Sequence, residues 1–462
     1  MRIAVTGAVV AGARRAAGWT AFGDWTRGGI FVTLNATDSL DPEKDIEVIP
    51  YEHPRDAIAR RLGHAILRRV TDGCLDVTED GRTTTFGSSD SDLHARLEIC
   101  DPAAWSTVLR GSTGFAQGYI DQLWATGDPV SVARVVARSM PPLDRMRERW
   151  QPLLGTAQKL GWMVPQNTRH AARHHISAHY DLGNDLFESF LDERLMYSSA
   201  YYPTPDTTLE DAQTEKLDRL CRQLKLEEDD HLVEIGTGWG GMAIYAASEY
   251  GCRVTTTTIS KEQRDYAIER VAEAGLAEQI TVLFEDYRDL RGKYSKLVSI
   301  EMIEAVGWQY FTTFFRKCSS LLEDDGLMAL QAIVIDDDLY ELEKASKSFA
   351  NTVVFPGGCL PSERVIAEAV THQTDMSVRW VDDITPHYAE TLREWRERFE
   401  AAWPSLRGSR YDERFRRMWT FYLAFSEGGF RERRIRDLQM VFAKPGFAPP
   451  ALYEPALASI SA

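Results

Sequence analysis

Three observations predict an α/β protein built on a parallel sheet. Helical and strand-like segments alternate from about residue 209, one buried strand ends in a tight glycine turn, and four successive strand ends carry polar residues. Alternation of this kind implies a parallel sheet covered on both faces by helices. Ligands of such sheets bind beyond the carboxyl ends of the strands.

The helix-like segment 209–225 precedes a strand ending at Ile235, and Met242 to Tyr250 reads as the following helix. Arg253 to Thr258 is β-branched and strand-like, and Lys261 to Ala274 is helical. Strands at Thr281 to Phe284 and Lys296 to Ile300, a helix at Thr312 to Leu322 and a strand at Met328 to Ile335 complete the pattern. Residues 55–130 mix short strand-like runs with turns such as Glu79-Asp80-Gly81 and Phe86-Gly87-Ser88-Ser89, which indicates a smaller α/β domain. Residues 1–50 lack clear periodicity. The chain therefore divides into an extension (1–50), a small domain (51–132), a basic linker (133–170), the main domain (171–446) and a tail (447–462).

Composition bounds the function. The 462 residues are 44% hydrophobic and 26% charged, values ordinary for a globular protein, and there is no uncharged apolar run long enough to span a bilayer. Ile3 to Ala13 is short and followed at once by Arg14-Arg15, so it reads as an extension rather than a signal peptide, and export is not expected. Six scattered cysteines form neither a disulfide framework nor metal-ligand spacing, which points to a reducing cytoplasm and no metal site. A net charge of −16 argues against a nucleic-acid partner. Charge is uneven, however: from Arg134 to Arg173 there are eight Lys or Arg against Asp144 and Glu148, with apolar side chains interleaved. That stretch reads either as a membrane-surface patch or as a solvated helix and linker, the reading that Pro141, Pro142, Pro152 and Pro165 favour.

The segment Val233-Glu234-Ile235-Gly236-Thr237-Gly238-Trp239-Gly240-Gly241 lets backbone approach a ligand with no Cβ in the way. Alone it does not distinguish a cofactor site from a structural turn. A dinucleotide oxidoreductase would carry an acid near the end of the second strand, where this chain has Thr258, Ser260 and Gln263, and a GxxxxGK[ST] phosphate loop is absent. The other strand ends lead into Glu285-Asp286-Tyr287 and Glu301-Met302-Ile303-Glu304.

At this point the chain resembles the S-adenosylmethionine-dependent cyclopropane-fatty-acyl-phospholipid synthases and the related mycolic acid cyclopropane synthases, closely over 165–446 and loosely over 70–130. The resemblance rests on separated blocks in order: His179 to Asn184, Tyr197-Ser198-Ser199-Ala200-Tyr201, the glycine turn, Thr258 to Gln263, Asp286 to Leu290, Glu304-Ala305-Val306-Gly307, Phe355 to Ser362, and His387 to Phe399. It implies a Rossmann-like methyltransferase domain preceded by a small lipid-binding α/β domain. It also implies that S-adenosylmethionine contacts Tyr197, Ser198, Gly236, Thr237, Gly238, Gly240, Thr258, Gln263, Asp286 and Tyr287. Turn amides would face the amino-acid end of the cofactor, Gln263 the ribose hydroxyls and Asp286 the adenine amino group. Singly, Thr258 and Gln263 read equally well as strand-end and capping residues.

The chemistry implied by the resemblance is attack of a cis double bond, in a phospholipid acyl chain, on the sulfonium methyl, followed by loss of a proton and ring closure. Glu304, Tyr388, Gln331 and Ser199 match the residues that hold bicarbonate, the implied base, and Tyr197 with Tyr201 or Tyr202 would flank the cation. Glu304→Gln is then expected to keep cofactor binding and lose most turnover. Two departures bear on the product. Ser199 stands where many members have cysteine, and Gln331 stands where they have histidine, which removes a group able to carry charge. Ser426 aligns with a cysteine once proposed as catalytic, so no thiol nucleophile is expected. Three readings follow: cyclopropanation, C-methylation to a methylene, methyl-branched or furan-precursor chain, and a lipid-binding protein without turnover. The implied partner is a membrane phospholipid, met by transient contact of a cytoplasmic enzyme with the inner membrane. A homodimer is compatible with this picture.

Overall fold

A computed structural model describes residues 54–161, 182–345, 348–408 and 410–448. The extension, the second part of the basic linker, the block His179 to Asp181 and the end of the tail lie outside the described residues.

Strict alternation of exposed and buried side chains makes His94–Ile99 a strand (β3), beside Cys74–Glu79 (β1) and Arg82–Gly87 (β2). Asp80 and Gly81 both have positive φ, 49° and 71°, the conformation a two-residue hairpin between β1 and β2 requires. With Trp124–Ala125 (β4) they form a sheet in the order β2-β1-β3-β4, in which β1 and β3 are parallel. Helices Pro54–Leu67, Ala103–Val108 and Gly111–Ile120 accompany it. Trp105 lies against His64 and donates to Glu79 Oε1 at 2.9 Å.

The basic segment is helical, and its prolines do not interrupt the helix. A single helix, Pro129–Gly161, runs through Pro141, Pro142 and Pro152. Tertiary contacts override local preference here: Val132, Ala133 and Val135 are buried, Arg134 and Arg138 pair with the two oxygens of Glu432 at 2.6 Å, and Arg434 pairs with buried Asp144. Two of the eight basic residues are thereby committed to the protein rather than to a membrane face.

The main domain follows the expected alternation. Thr208 caps helix Leu209–Leu224 by accepting from the Asp211 amide. The seven-stranded sheet comprises His231–Ile235 (β5), Arg253–Thr258 (β6), Ile280–Phe284 (β7), Tyr294–Ile300 (β8), Leu322–Ile335 (β9), Ser377–Asp383 (β10) and Ile435–Ala443 (β11), in the order β10-β11-β9-β8-β5-β6-β7. Strands β5 to β9 are parallel, and β11 and β10 are antiparallel additions at one edge. The strand order reverses between β5 and β8, so a crevice opens where Gly236 and Glu301 leave the sheet.

Helix Glu413–Arg431 joins the two sheets. Its Phe421 meets Phe115, Tyr119 and Trp124 of the small domain at ring separations of 6.0, 5.7 and 6.3 Å, while Trp419 and Tyr422 face the main domain's aromatic cluster. One apolar core therefore runs across the boundary.

Candidate active site

A cavity of about 1040 Å³ begins among Leu75, Val77, Leu97 and Trp124 of the small domain and ends at the carboxyl ends of β5 to β8. Its lining is predominantly apolar, the character expected of a site for a hydrocarbon chain.

Of the residues expected to hold cofactor, Tyr197, Ser198, Gly236, Thr237, Gly238, Thr258, Gln263, Asp286 and Tyr287 line this cavity; Gly240 does not, and sits instead as the left-handed N-cap of helix Gly241–Tyr250. Gly236 has φ 109°, which only glycine adopts readily, and a Cβ built at Gly238 would meet nothing within 4 Å. The turn therefore leaves a bare cradle. Its amides act differently from the expectation: those of Gly236 and Thr237 both donate to Thr257 O, at 3.1 and 3.2 Å, and close the turn. Thr258 Oγ1 donates to Gln263 Oε1 at 2.9 Å and accepts from the Ser260 amide, so the capping and ligand-facing readings of these residues coexist. With its oxygen engaged, Gln263 presents its amide nitrogen as a donor. Asp286 is held by Arg288 through both oxygens, at 2.7 and 2.6 Å. Tyr287 Oη is buried with no hydrogen-bond partner among the described residues, a polar atom left for a ligand. These features fit an adenosyl cofactor.

Opposite the turn, the structure brings Ser199, Gln331 and Tyr388 together, but around Glu301 rather than Glu304. Glu301 Oε1 accepts from the Ser199 amide and from Gln331 Nε2, and Oε2 accepts from Tyr388 Oη, all at 2.7 Å. Glu301, Glu304 and Tyr388 line the cavity, whereas Ser199 and Gln331 lie behind Glu301, each 0% exposed. Glu304 Oε1 accepts from the Ile333 amide at 2.5 Å and its Oε2 has no partner among the described residues. Burial, aided by the charge of Glu301, lifts the Glu304 pKa to about 8.

Bicarbonate does not fit this arrangement. The donors expected to grip it, the Ser199 amide, Gln331 Nε2 and Tyr388 Oη, are all engaged by Glu301, whose own carboxylate stands among them.

Tyr201 and Tyr202 depart from the expected role of flanking the cation, since neither lines the cavity. Tyr201 lies against His387 at 4.2 Å and beneath Arg219, and the Tyr202 amide donates to His387 Nδ1, so the chain has turned outward by this point. Tyr197, Tyr388, Tyr422, Phe425 and Phe430 provide the aromatic wall instead, and Ser426 also faces the cavity.

Two further residues were missed. Lys216 is 0% exposed and donates to Ser198 Oγ at 2.6 Å; burial lowers its pKa to about 8 against the opposing pull of Glu301, Asp192, Asp437 and Glu234. It shares the buried face of helix Leu209–Leu224 with Leu209, Gln213 and Leu220, so a lysine at a core-facing position was the available signal. Asp437, on β11, accepts from Gln331 Nε2 at 3.2 Å, and burial with the charges of Glu301 and Glu304 holds its pKa well above the usual carboxylate range. Burial raises Glu301 as well, but its three short donors and Lys216 favour its ionised form, so Asp437 is the partner that keeps the proton.

Comparison with known proteins bears on this arrangement. Residues 167–440 match the family model described as mycolic acid cyclopropane synthetase. The chain is 37% identical, over 86% of its length and 94% of the relative's, to the tuberculostearic acid methyltransferase UfaA1 of Mycobacterium tuberculosis. It is 35% identical, over 76% of its length and 88% of the relative's, to the cyclopropane-fatty-acyl-phospholipid synthase of Escherichia coli K12. Among solved structures it resembles mycolic acid cyclopropane synthase CmaA1 complexed with SAH and CTAB, with a TM-score of 0.55 and 29% identity, over 59% of this chain and 98% of that one.

Proposed function

The chain belongs to the mycolic acid cyclopropane synthetase family and is an S-adenosylmethionine-dependent methyltransferase; on that premise we propose that it methylates the cis double bond of an unsaturated phospholipid acyl chain and closes a cyclopropane ring. The observation that carries this reading is one continuous cavity that joins apolar side chains of the small domain to the glycine turn, Glu301 and Glu304. When bound, S-adenosylmethionine supplies an electrophilic sulfonium methyl.

The protein's own residues do the rest. Tyr197 is held by Trp395, stacked at 5.3 Å, and by a 3.0 Å contact between its hydroxyl and that of Tyr422, so its ring face is fixed at the cavity wall. Tyr388 is held by Phe430, stacked at 4.3 Å, and by Glu301. Aromatic faces and a carboxylate in a water-poor cavity stabilise positive charge on a hydrocarbon without supplying a nucleophile that would trap it. Thr258, Gln263, Asp286 and Tyr287 orient the adenosyl half.

A second reading, C-methylation without ring closure, is favoured by the 37% identity to a relative named as a methyltransferase rather than a cyclopropane synthase. Both products arise from one cation and differ in which proton leaves. Expression in a host lacking its own synthase, with mass spectrometry of derivatised membrane fatty acids, separates them: ring and methylene products have equal mass but fragment differently. Unchanged fatty acids would overturn both readings. The membrane contact proposed for the basic helix is tested by liposome flotation, where binding unaffected by neutralising Arg145, Arg147 and Arg149 would remove that role.

A further inference from the structure

We propose that Glu301 is the built-in base of this enzyme, its carboxylate standing where a bicarbonate ion was expected, so that turnover needs no bicarbonate. The inference rests on the acyl-chain reading above for its substrate, and on the geometry of Glu301 for everything else.

Glu301 is the first residue beyond β8, at the strand-order reversal, and it lines the cavity. Three of the four residues expected to hold the ion point hydrogen bonds at its two oxygens. A planar carboxylate receiving donors from three separate segments, the one before helix Leu209–Leu224, β9 and helix Thr385–Leu406, reproduces the anion such a site is built to bind. The fourth residue, Glu304, accepts from the Ile333 amide instead.

The backbone supports the same conclusion. Glu301 has φ 46°, in the left-handed region, a conformation costing a non-glycine residue on the order of 1–3 kcal/mol. Its amide donates to Gln331 O at 2.8 Å, which helps to hold it there. Packing alone does not call for glutamate at such a position. The strain is explained if the carboxylate has work to do.

The groups around it favour the ionised form of that carboxylate. Tyr388, Gln331 and the Ser199 amide are neutral donors, Lys216 supplies a positive charge, and Asp437 and Glu304 are lifted by burial and hold protons in its place. In the ring-forming reaction one C–H bond of the transferred methyl breaks, its electron pair becomes the new C–C bond to the cationic carbon, and the proton forms an O–H bond with Glu301. In the alternative the broken C–H bond is on the neighbouring chain carbon and its pair becomes C=C. Either way Glu301 leaves neutral and returns the proton to solvent before the next cycle.

The test uses the full chain, vesicles of dioleoylphosphatidylglycerol and dioleoylphosphatidylethanolamine, and methyl-labelled S-adenosylmethionine, in buffer stripped of carbon dioxide and in the same buffer with bicarbonate restored. Wild type is expected to form S-adenosylhomocysteine at rates equal within about twofold in both, and Glu301→Gln to fall roughly 100-fold or more in both. Glu301→Gly relieves the left-handed strain and opens the anion site, so bicarbonate should raise its melting midpoint and leave that of wild type unchanged. Its turnover should collapse in stripped buffer and recover at least about tenfold with bicarbonate. Binding of carbon-13-labelled bicarbonate, followed by NMR, should be absent in wild type and present in Glu301→Gly. Wild-type turnover that fails without bicarbonate, near-normal Glu301→Gln, or bicarbonate bound by wild type would each overturn the proposal. Should wild type form no S-adenosylhomocysteine from these vesicles, the phospholipid reading fails, and the binding measurement still decides the role of Glu301.

Discussion

The two sides of the cleft are built on opposite principles. The side formed by the ends of β5, β6 and β7 sets a bare glycine turn, hydroxyls and an amide beside three acids: Asp286 paired with Arg288, Glu285, and Glu234, whose pKa burial lifts to about 8. The side formed by β8, β9, β11 and helix Leu209–Leu224 sets Glu301 and Glu304 at the cavity wall with Asp437 and Lys216 buried behind them, and holds Glu301 in a strained conformation. A site that only binds needs shape, and shape comes cheaply from glycine. A site that stabilises a cation and moves a proton needs unequal acidities in one place, which requires burying charges that fold the protein at a cost.

The contrast can be broken first on the binding side. Gly238→Leu puts a side chain into the cradle where a Cβ meets no atom within 4 Å; its left-handed φ of 51° should cost the fold about 1–2 kcal/mol, while S-adenosylmethionine affinity falls roughly 100-fold or more by calorimetry. Retained affinity would mean that the cofactor lies elsewhere. On the acidic side, Lys216→Met removes a buried cation facing Glu301, Asp192, Asp437 and Glu234, and should cost on the order of 3–5 kcal/mol in denaturant unfolding. Little change would show that the acids balance one another without it.

Glu304→Gln sharpens the division of labour among the acids. With its pKa lifted to about 8, Glu304 is mostly protonated at neutral pH, and glutamine mimics that state. Turnover should then fall less than about tenfold, a reversal of the loss expected from the resemblance, because Glu301 has taken the donors. A raised carboxyl pKa contributes stability that is complete below the ordinary value of 4.5 and is lost as pH rises through about 8. The variant's melting midpoint should therefore overtake wild type by roughly a few degrees on going from neutral pH to about pH 9. Parallel pH profiles would remove this assignment. The smallest effect is expected for Tyr197→Phe, which loses one hydroxyl contact to Tyr422 and should cost about 0.5–1.5 kcal/mol while leaving its stack on Trp395 intact. A larger loss of turnover than of stability would place the hydroxyl in the chemistry.

The binding side was legible because its information is contiguous. A strand, a glycine turn and a helix follow one another in 20 residues, and β-branched Arg253–Thr258 and the capped helix after Ser260 announce themselves by local preference. The alternation of helices and strands gave the parallel sheet for the same reason, although the edge strands β10 and β11 did not stand out, since antiparallel additions break the repeat. That the helix continues through Pro141, Pro142 and Pro152 was not legible, because its contacts come from Glu432 and Asp144's partner Arg434, far away in the chain.

Sequence by itself therefore determined the fold class, the glycine turn after β5 and the family, all of which depend on spacing along the chain. Which carboxylate sits among the donors was decided only by tertiary structure. Glu301 and Glu304 are three residues apart in one loop and alike in chemistry. What separates them is a left-handed backbone at Glu301 that turns its oxygens toward Ser199, Gln331 and Tyr388, residues brought together from three other segments by the closing of the sheet.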